Sequence, residues 1–343
     1  MDPGAGEEGV TRGLGESQAE FDPRPGGSGR TAPFVAGVDG GGTGSRVLLM
    51  DLQGREIRLE EGPPGLVEPS DPEGAARAMA AVVRAAVHQA NLGLPAEALW
   101  AGLAGAGRRE AREGVEAALA TLGLARRVTV GMDVQGAHQD AFGKGPGFVL
   151  VVGTGSLGWG RDPDGQEVRV GGWGSYLGEE GAGYWMGMEA LRVVARAADG
   201  RGPPTLLVPT ILEALNLPDP HSLIRWVAEA SKGDVGALAP LVLNSASQGD
   251  PSARDLIERG LDALGRYVDV LARAWAPWGG SFPVALAGGM AGEGGPLRES
   301  LSRMVSERGG VVHSGAVIPA RGAAHLALEL AQGTRQERPS FRP

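Results

Sequence analysis

Two glycine-rich segments of this chain carry the residue types that suit phosphate binding. The first runs Asp39-Gly-Gly-Gly-Thr-Gly-Ser45 directly after an apolar run, and the second is Thr154-Gly-Ser156. Glycine turns expose backbone N–H groups in a concave surface, where a side chain would block the approach of a phosphate oxygen. Neither segment matches the P-loop pattern G-x-x-x-x-G-K-S/T, and no lysine is available near either. A tight β-hairpin turn is the alternative, but the shared T-G-S favours phosphate binding.

A carboxylate and several hydroxyl groups accompany these turns. Asp39 directly precedes the first turn and could hold Mg²⁺ through water, because that ion prefers a few carboxylates together with phosphate oxygens. The hydroxyl groups of Thr43, Ser45, Thr154 and Ser156 add hydrogen-bond donors. We therefore expect a magnesium site at Asp39, beside bound phosphate.

The elements that must position these turns alternate between strands and helices. Apolar runs predict strands at 34–38, 46–51, 99–103, 127–130 and 282–287. Helical patterns cover 75–91, 109–122, 184–198, 223–231, 251–275 and 296–309. Such alternation is typical of an α/β fold with parallel strand pairing.

The opening pattern of the chain returns in its second half. The paired motifs, both 111 residues apart, are T-G-S at 43–45 and 154–156 and D-x-x-G-x-E at 51–56 and 162–167. Chance agreement is the alternative in a chain with 59 glycines. Two motifs at one offset favour an internal duplication, in which each half opens with a strand, a glycine turn, a strand and a hairpin.

Composition excludes several classes of function. The 32 Lys and Arg residues stand against 41 Asp and Glu residues, and a net charge of −9 argues against nucleic acid as the main partner. Because the chain has no cysteine, disulfides, thiolate nucleophiles and cysteine-held iron–sulfur clusters are excluded. No apolar stretch approaches the roughly 18 residues of a membrane span. Residues 1–32 lack a signal peptide and predict a mobile tail, so we expect a cytoplasmic protein.

Longer motifs resemble a known family. Residues 34–43 resemble the first phosphate motif of the sugar kinase/Hsp70/actin superfamily, and residues 149–156 resemble its second. The segment at 171–185, GGWGSYLGEEGAGYW, resembles the G-G-W-G-x-x-x-G-D-E-G-S-x-Y-W segment of the N-acetylglucosamine kinase branch of the BadF/BadG/BcrA/BcrD ATPases. Residues 246–251 also resemble that branch, and residues 284–289 resemble the adenosine motif.

This resemblance implies a fold and an activity. The fold would be two duplicated ribonuclease H-like (actin-like ATPase) domains around a central ATP and sugar cleft. They would span residues 33–131 and 132–319 after the tail at 1–32, with the option that a C-terminal helix at about 320–332 packs back on the first domain. The activity would be transfer of the γ-phosphoryl group of ATP to the 6-hydroxyl of N-acetylglucosamine or a related amino sugar, with Mg²⁺. The expected assembly is a homodimer.

The resemblance also assigns residues. Asp133, in Gly131-Met-Asp-Val-Gln-Gly136, matches the aspartate that accepts the proton of the sugar hydroxyl, a poor nucleophile at neutral pH. From the residues alone, a helix N-cap is the alternative role for Asp133, and Asp140 is predicted to be a solvated helix residue. The other implied contacts are Gly40, Gly41, Gly42, Thr43, Thr154, Gly155, Ser156, Ala246, Gly288 and Gly289 for ATP, Gly172, Trp173 and Glu179 for the sugar, and Asp39 for Mg²⁺.

Two features depart from the family pattern. Glu179 stands where the family usually has Asp, and residues 62–70 contain no Asn, although the family offers one to the sugar there. Val67 and Glu68 stand near that place instead. Because sites built on hydrogen bonds discriminate sharply, glucosamine or another hexose is the alternative substrate. For Trp173 the alternative to sugar binding is packing in the core.

Two functions other than a kinase are possible for a chain with these motifs. ATPases of this family that activate reductases hold an iron–sulfur cluster on cysteines, which this chain lacks. A non-catalytic regulator that binds ATP and sugar is the second. The sugar-responsive repressors of the superfamily carry a helix-turn-helix ahead of the first phosphate motif, and the Gly/Pro-rich residues 1–32 cannot form one. Retention of Asp39, Asp133 and both T-G-S segments favours a working enzyme.

Overall fold

The buried apolar runs form two five-stranded sheets. The computed structural model describes residues 32–42, 44–65 and 71–333. The strands of the first sheet are β1 (Phe34–Gly40), β2 (Ser45–Asp51), β3 (Glu56–Gly62), β4 (Ala98–Leu103) and β5 (Val128–Met132). Those of the second are β6 (Gly147–Val152), β7 (Ser156–Arg161), β8 (Glu167–Gly171), β9 (Phe282–Ala287) and β10 (Gly310–Val312).

The six helices predicted from the pattern are present with shifts of a few residues at their ends, and the described residues form the expected C-terminal helix and four further helices that the pattern did not predict. In chain order the helices are α1 (Pro72–Gln89), α2 (Arg109–Ala120), α3 (Asp133–Phe142), α4 (Gly183–Ala198), α5 (Leu207–Ala214), α6 (Leu223–Glu229), α7 (Lys232–Gly236), α8 (Ala239–Ser247), α9 (Pro251–Trp275), α10 (Arg298–Glu307) and α11 (Pro319–Ala331). Short 3₁₀ turns lie at Pro220–Ser222 and Ala276–Trp278. In the part of the chain that the structure describes, no helix combines the length and the apolar character that crossing a bilayer requires.

Asp-Pro pairs set the beginning of two long helices. Asp71 accepts a hydrogen bond from the Gly74 N–H at 2.8 Å and caps α1. Asp250 accepts one from the Ala253 N–H at 2.8 Å and caps α9. Each aspartate satisfies an N–H that has no partner inside the helix, and the following proline lacks an N–H at the first helical position.

The two sheets have the same topology, which confirms the predicted duplication. Their strand orders are β3-β2-β1-β4-β5 and β8-β7-β6-β9-β10. In each sheet the first three strands in sequence pair antiparallel, and the last two add in parallel. The observed fold is therefore the expected pair of duplicated α/β units.

The repeated D-x-x-G-x-E motifs form the same turn twice. The Asp51 carboxylate accepts hydrogen bonds from the N–H groups two and four residues later, both at 2.9 Å. The Asp162 carboxylate does the same at 2.9 and 2.8 Å. The Gly54 N–H donates to the Asp51 carbonyl and the Gly165 N–H to the Asp162 carbonyl. Glycine is required at both places because φ is +83° and +80°.

Both sheets have a core on each face, and α3 covers one face of the second sheet. Helices α1 and α2 cover one face of the first sheet, with Met79, Val83 and Leu119 fully buried. Its other face is covered by α11, whose alanines pack against Val35 and Trp100. The second sheet packs against α4, α8, α9 and α10. The last helix of the chain thus completes the core of the first sheet.

Helices α3 and α11 cross where both have glycine. A side chain on Gly322 would overlap the Gly136 carbonyl oxygen, so the two backbones are in direct contact. Beside the crossing, Asp140 accepts hydrogen bonds from the Ile318 N–H at 2.7 Å and from the Arg321 guanidinium at 2.9 Å. Its side chain is only 3% exposed. The prediction that Asp140 is solvated is wrong, because Ile318 and Arg321 cover its side chain. These partners lie 178 and 181 residues later in the chain, so no local pattern reveals them.

Candidate functional site

The two glycine-rich turns meet between the sheets. The first connects β1 to β2 and the second connects β6 to β7, at equivalent places in the two halves. A Cβ placed on Gly42 would lie 3.9 Å from the Thr154 Cβ, so the turns are in van der Waals reach of each other. The Gly41 N–H donates to the Gly44 carbonyl at 2.9 Å. Gly40 ends β1, and Thr43 lies outside the described residues.

The second turn is also in contact with the predicted adenosine segment. A Cβ on Gly153 would lie 3.7 Å from the Gly289 nitrogen and 3.8 Å from the Gly288 Cα. On the other side, the first N–H groups of α4 hold the turn. The Gly183 N–H donates to the Gly153 carbonyl at 2.8 Å, and the Tyr184 N–H donates to the Thr154 carbonyl at 3.0 Å. The turn at 153–155 is therefore fixed from two sides.

Both serines of the T-G-S motifs are buried, and the hydroxyl group of the second is bonded to a neighbouring loop. Ser45 and Ser156 are the first residues of β2 and β7, and both are buried. The Ser156 hydroxyl donates to the Glu180 carbonyl at 3.1 Å and so ties the turn to the following loop. Ala246 is buried in the core of the second half together with Met290, next to the glycine pair at 288–289.

Asp39 and Asp133 lie at the same edge of the first sheet. The strand register places Asp39 beside Gly102, and Gly102 beside Gly131, two residues before Asp133. A Cβ on Gly102 would lie 3.1 Å from the Asp133 Cα. Both aspartates are therefore at the carboxyl ends of parallel strands, where ligands bind in open α/β sheets.

Burial raises the pKa of both carboxyl groups. Burial, and then the nearby Asp133 carboxylate, raise the pKa of Asp39 to about 7, while Arg46 opposes the shift. Burial also raises the pKa of Asp133, and Glu179 adds to the effect. A hydrogen bond from the Val134 N–H at 2.9 Å and the charge of Arg169 act in the other direction. Two carboxyl groups with raised pKa values at one cleft edge are typical of a functional site.

The N-cap alternative for Asp133 is not what the structure shows. Met132 is the N-cap residue of α3, and Asp133 is the first residue of the helix itself. The helix begins there because Gln135 reaches back to accept the Met132 N–H at 2.9 Å. Asp133 is therefore left at the start of the helix with its carboxyl group in the cleft environment described above.

Glu179 lies against the second turn. Its carboxyl carbon is 2.8 Å from where a Cβ on Gly155 would be, so the carboxyl group packs directly against the turn. Its φ of +61° is unusual for a residue with a side chain, and such strained backbone persists where the surroundings hold it, often at functional sites. The Lys232 ammonium donates to the Glu179 carboxylate at 2.6 Å.

The loop that contains Glu179 is exposed at its tip. Trp173 is 74% exposed, and Tyr176 and Leu177 are exposed as well. The alternative of core packing for Trp173 is therefore wrong. Gly172, just before it, donates its N–H to the Ser156 carbonyl at 3.0 Å. Of the predicted sugar residues, Gly172 thus lies next to the second turn and Trp173 lies in the exposed part of the loop.

Two basic residues at the site were missed by the sequence analysis. Arg169, on β8, donates to the Gly172 carbonyl at 2.8 Å and lies close enough to Asp133 to lower its pKa. It also faces the first half, since a Cβ on Gly107 would lie 3.5 Å from its guanidinium. Lys232 lies far from both turns in the sequence, and no lysine is available near either turn there. Arg169 had a local signal, two residues before the G-G-W-G motif, whereas Lys232 had none.

The residues fit a magnesium ion that is held mainly by phosphate. Within the described ranges, no three His, Cys, Asp or Glu side chains converge as a metal cluster. Mg²⁺ at nucleotide sites commonly takes one or two carboxylates, with phosphate oxygens and waters as its other ligands. Asp39, next to the first turn near the end of β1, supplies such a carboxylate. Val67 and Glu68, near the expected Asn, lie outside the described residues.

These features define a two-domain actin-like ATPase, with a ligand cleft between two duplicated α/β units. The chain belongs to the BadF/BadG/BcrA/BcrD ATPase family, which residues 36–327 match. This membership confirms the family recognised from the motifs.

Relatives of the chain include curated kinases and a solved structure. An N-acetyl-D-glucosamine kinase of Dictyostelium discoideum is 27% identical over 85% of this chain and 97% of its own length. An N-acetylmuramic acid/N-acetylglucosamine kinase of Clostridium acetobutylicum is 27% identical over 67% and 76%. A Chromobacterium violaceum protein, provisionally assigned as an N-acetylglucosamine kinase, is 31% identical with a TM-score of 0.71, over 86% of this chain and 99% of that structure.

Proposed function

We propose that this protein is an ATP-dependent kinase that transfers the γ-phosphoryl group of ATP to the 6-hydroxyl of N-acetylglucosamine or a closely related amino sugar. The observation that carries the proposal is the placement of Asp133. Its carboxyl group lies at the cleft edge of the first sheet, within electrostatic reach of Asp39 on one side and Glu179 on the other. The names of the curated relatives support the sugar class.

Asp133 is the base in this proposal. Its carboxylate accepts the proton of the sugar hydroxyl as the hydroxyl oxygen forms a bond to the γ-phosphorus. The bond between that phosphorus and the bridging oxygen breaks at the same time, and ADP leaves with the electron pair. Because the pKa of Asp133 is raised, its carboxylate is a stronger base than an ordinary aspartate. Arg169 opposes the shift and keeps the carboxylate available.

The remaining residues bind and orient the substrates. The turn at 40–43, together with Thr154, Gly155 and Ser156, surrounds the phosphates, while Ala246 and the glycine pair at 288–289 border the adenosine. Gly172, Trp173 and Glu179 line the sugar site. Asp39 holds Mg²⁺, which supplies charge neutralisation for the β- and γ-phosphates when bound.

The organisation of the chain belongs to the same proposal. The first domain spans residues 33–131 and is completed by the C-terminal helix, and the second spans 132–319. The protein works as a homodimer in the cytoplasm. These assignments follow the family resemblance, and size-exclusion chromatography with light scattering measures the assembly directly.

Glucosamine is the second candidate substrate, because the Glu179 carboxylate could accept a hydrogen bond from its ammonium group. The ion pair with Lys232 weakens that case, since Glu179 already has a cation at 2.6 Å. A neutral N-acetyl group needs no such counter-ion. The N-acetyl sugar is therefore the preferred substrate.

A coupled ADP-release assay tests the proposal. It compares glucose, glucosamine, N-acetylglucosamine, N-acetylmannosamine and N-acetylmuramic acid, and N-acetylglucosamine is expected to give the highest kcat/KM. Asp133→Asn should lower kcat by roughly 10²–10⁴, the usual effect of a positioned base, and leave the fold intact. Asp255→Asn, on the exposed face of α9, is the matched control. Turnover of Asp133→Asn within about threefold of wild type would exclude Asp133 as the base.

A further inference from the structure

Lys232 and Glu179 form an ion pair at the edge of the second turn. The ammonium nitrogen lies 2.6 Å from the Glu179 Oε2, and the two side chains are 29% and 13% exposed. The sequence has one other lysine, Lys144, which pairs with Glu329 at 3.4 Å near the α3–α11 crossing. Lys144 therefore serves as a control for Lys232, because it is the same residue type in an ion pair away from the proposed nucleotide site.

The short helix α7 places Lys232 against the turn. At the far end of α7, a Cβ on Gly236 would lie 3.2 Å from the Thr154 Cγ2. At its near end, Lys232 reaches Glu179, whose carboxyl group touches Gly155. Helix α7 thus reaches the second turn directly at Gly236 and through Glu179 at Lys232. The ammonium group is separated from the turn by the width of one carboxylate.

The neighbourhood of Lys232 is acidic. The Asp133 charge raises the pKa of Asp39, and the Glu179 charge raises the pKa of Asp133. The triphosphate of ATP would add more negative charge among these three groups, so a cation is needed beside the last phosphate. Arg169 is already bonded to the Gly172 carbonyl. Lys232 has three N–H donors, and its bond to Glu179 uses one of them.

The order of the three phosphates, from the adenosine side of the turn to the side of Asp133, determines which phosphate would lie beside Lys232. In the proposed nucleotide site the α-phosphate would lie nearest the adenosine, at the side of the turn that contacts Gly288. The terminal phosphate must approach Asp133, and Glu179 is on that side, because it acts on the pKa of Asp133. A group bonded to Glu179 is therefore beside the terminal phosphate.

We propose that the Lys232 ammonium binds a γ-phosphate oxygen of ATP while it remains paired with Glu179, so that one ion pair joins the nucleotide and sugar sites. This inference rests on the proposed kinase function. It assigns Lys232 a direct contact with the nucleotide and Glu179 the role of holding that lysine in place.

Nucleotide affinities of the full chain test the proposal. Calorimetry with ATP and with ADP, each with Mg²⁺ and without sugar, compares wild type with Lys232→Met, Lys232→Arg and Lys144→Met. Lys232→Met should raise the Kd of ATP by about tenfold or more, because a charge-assisted hydrogen bond is lost, and change the Kd of ADP by less than about twofold. Lys232→Arg should stay within about threefold of wild type, and Lys144→Met should match it.

Two results would overturn this role while the kinase assignment stands: an unchanged ATP affinity in Lys232→Met, or equal losses for ATP and ADP. Wild-type protein that binds no nucleotide would overturn the kinase assignment itself, and this role with it.

Lysine labelling of the wild-type protein gives a second test that needs no variant. Reductive methylation followed by peptide mass spectrometry reports on Lys232 and Lys144 separately. ATP with Mg²⁺ should slow modification of Lys232 by about fivefold or more and leave Lys144 unchanged, with a weaker effect of ADP. Equal protection of Lys232 by ADP and ATP would place the lysine away from the γ-phosphate and contradict the proposal.

Discussion

The burial of Asp39 and its closeness to Asp133 suit ligand binding but lower the stability of the protein without ligand. Burial and the Asp133 carboxylate raise its pKa to about 7, so ionising Asp39 is unfavourable in the folded chain. In the unfolded chain the same carboxyl group has its ordinary pKa of 3.8. The folded state therefore binds more protons than the unfolded state between these two values, and stability falls as the pH rises through that window.

Asp39→Asn should accordingly stabilise the protein above neutral pH. Without nucleotide or Mg²⁺, its free energy of unfolding at about pH 8 should exceed that of wild type by about 1–3 kcal/mol, after allowance for solvent screening. The gain should shrink as the pH approaches about 5, where Asp39 is protonated in the folded state. Urea unfolding across this pH range measures the difference.

Asp255→Asn, at an exposed site on α9, should show no such pH dependence. A gain from Asp39→Asn that is constant with pH would contradict the electrostatic explanation.

At the scale of single elements, the crossing of α3 and α11 separates what sequence can predict from what it cannot. Strands and helices were placed well because apolar periodicity is local, as at α9, where the predicted and observed bounds agree. The burial of Asp140 could not be predicted, because its partners Ile318 and Arg321 lie 178 and 181 residues away and no local pattern reports such a contact. Lys232 was missed for the same reason. The site residues on the turns could be predicted, because they belong to short motifs that recur at a fixed spacing in the sequence.

The crossing makes a sharp prediction. Gly322→Ala should lower the free energy of unfolding by about 2–4 kcal/mol, because its Cβ meets the Gly136 backbone, which cannot rotate away. Gly93→Ala is the matched control, since a Cβ at Gly93 meets open space and its φ is not positive. That control should be neutral or stabilising by up to about 1 kcal/mol. Equal melting temperatures for the two variants would show that the helices separate without cost.

At the scale of the whole molecule, the two halves share more than a cleft. The first sheet has strands from residues 34–132, but its second face is covered by α11, at 319–331. Arg127 links these parts directly, donating to the Leu330 carbonyl at 2.7 Å. Helical patterns predicted long helices in the second half. The option that a helix at about 320–332 packs on the first domain came from the family resemblance, because no pattern local to those residues indicates which sheet they cover.

Removing α11 should therefore damage the distant first half. A chain that ends at Val317 should lose cooperative unfolding, because Val35 and Trp100 become exposed without their alanine partners. A synthetic peptide of residues 318–333, added in excess, should restore a cooperative transition and nucleotide binding. Near-ultraviolet circular dichroism and calorimetry follow both. A truncated chain that unfolds like wild type without the peptide would contradict the shared core.

The closure of the first half by the last helix has a consequence for synthesis on the ribosome. About 190 residues separate the end of β5 from the beginning of α11. At roughly 5–20 residues per second, the first sheet waits roughly 10–40 s with one apolar face uncovered while the second half is made. Folding of the nascent chain is thus not simply domain by domain, and this open face is the surface that a chaperone would meet first.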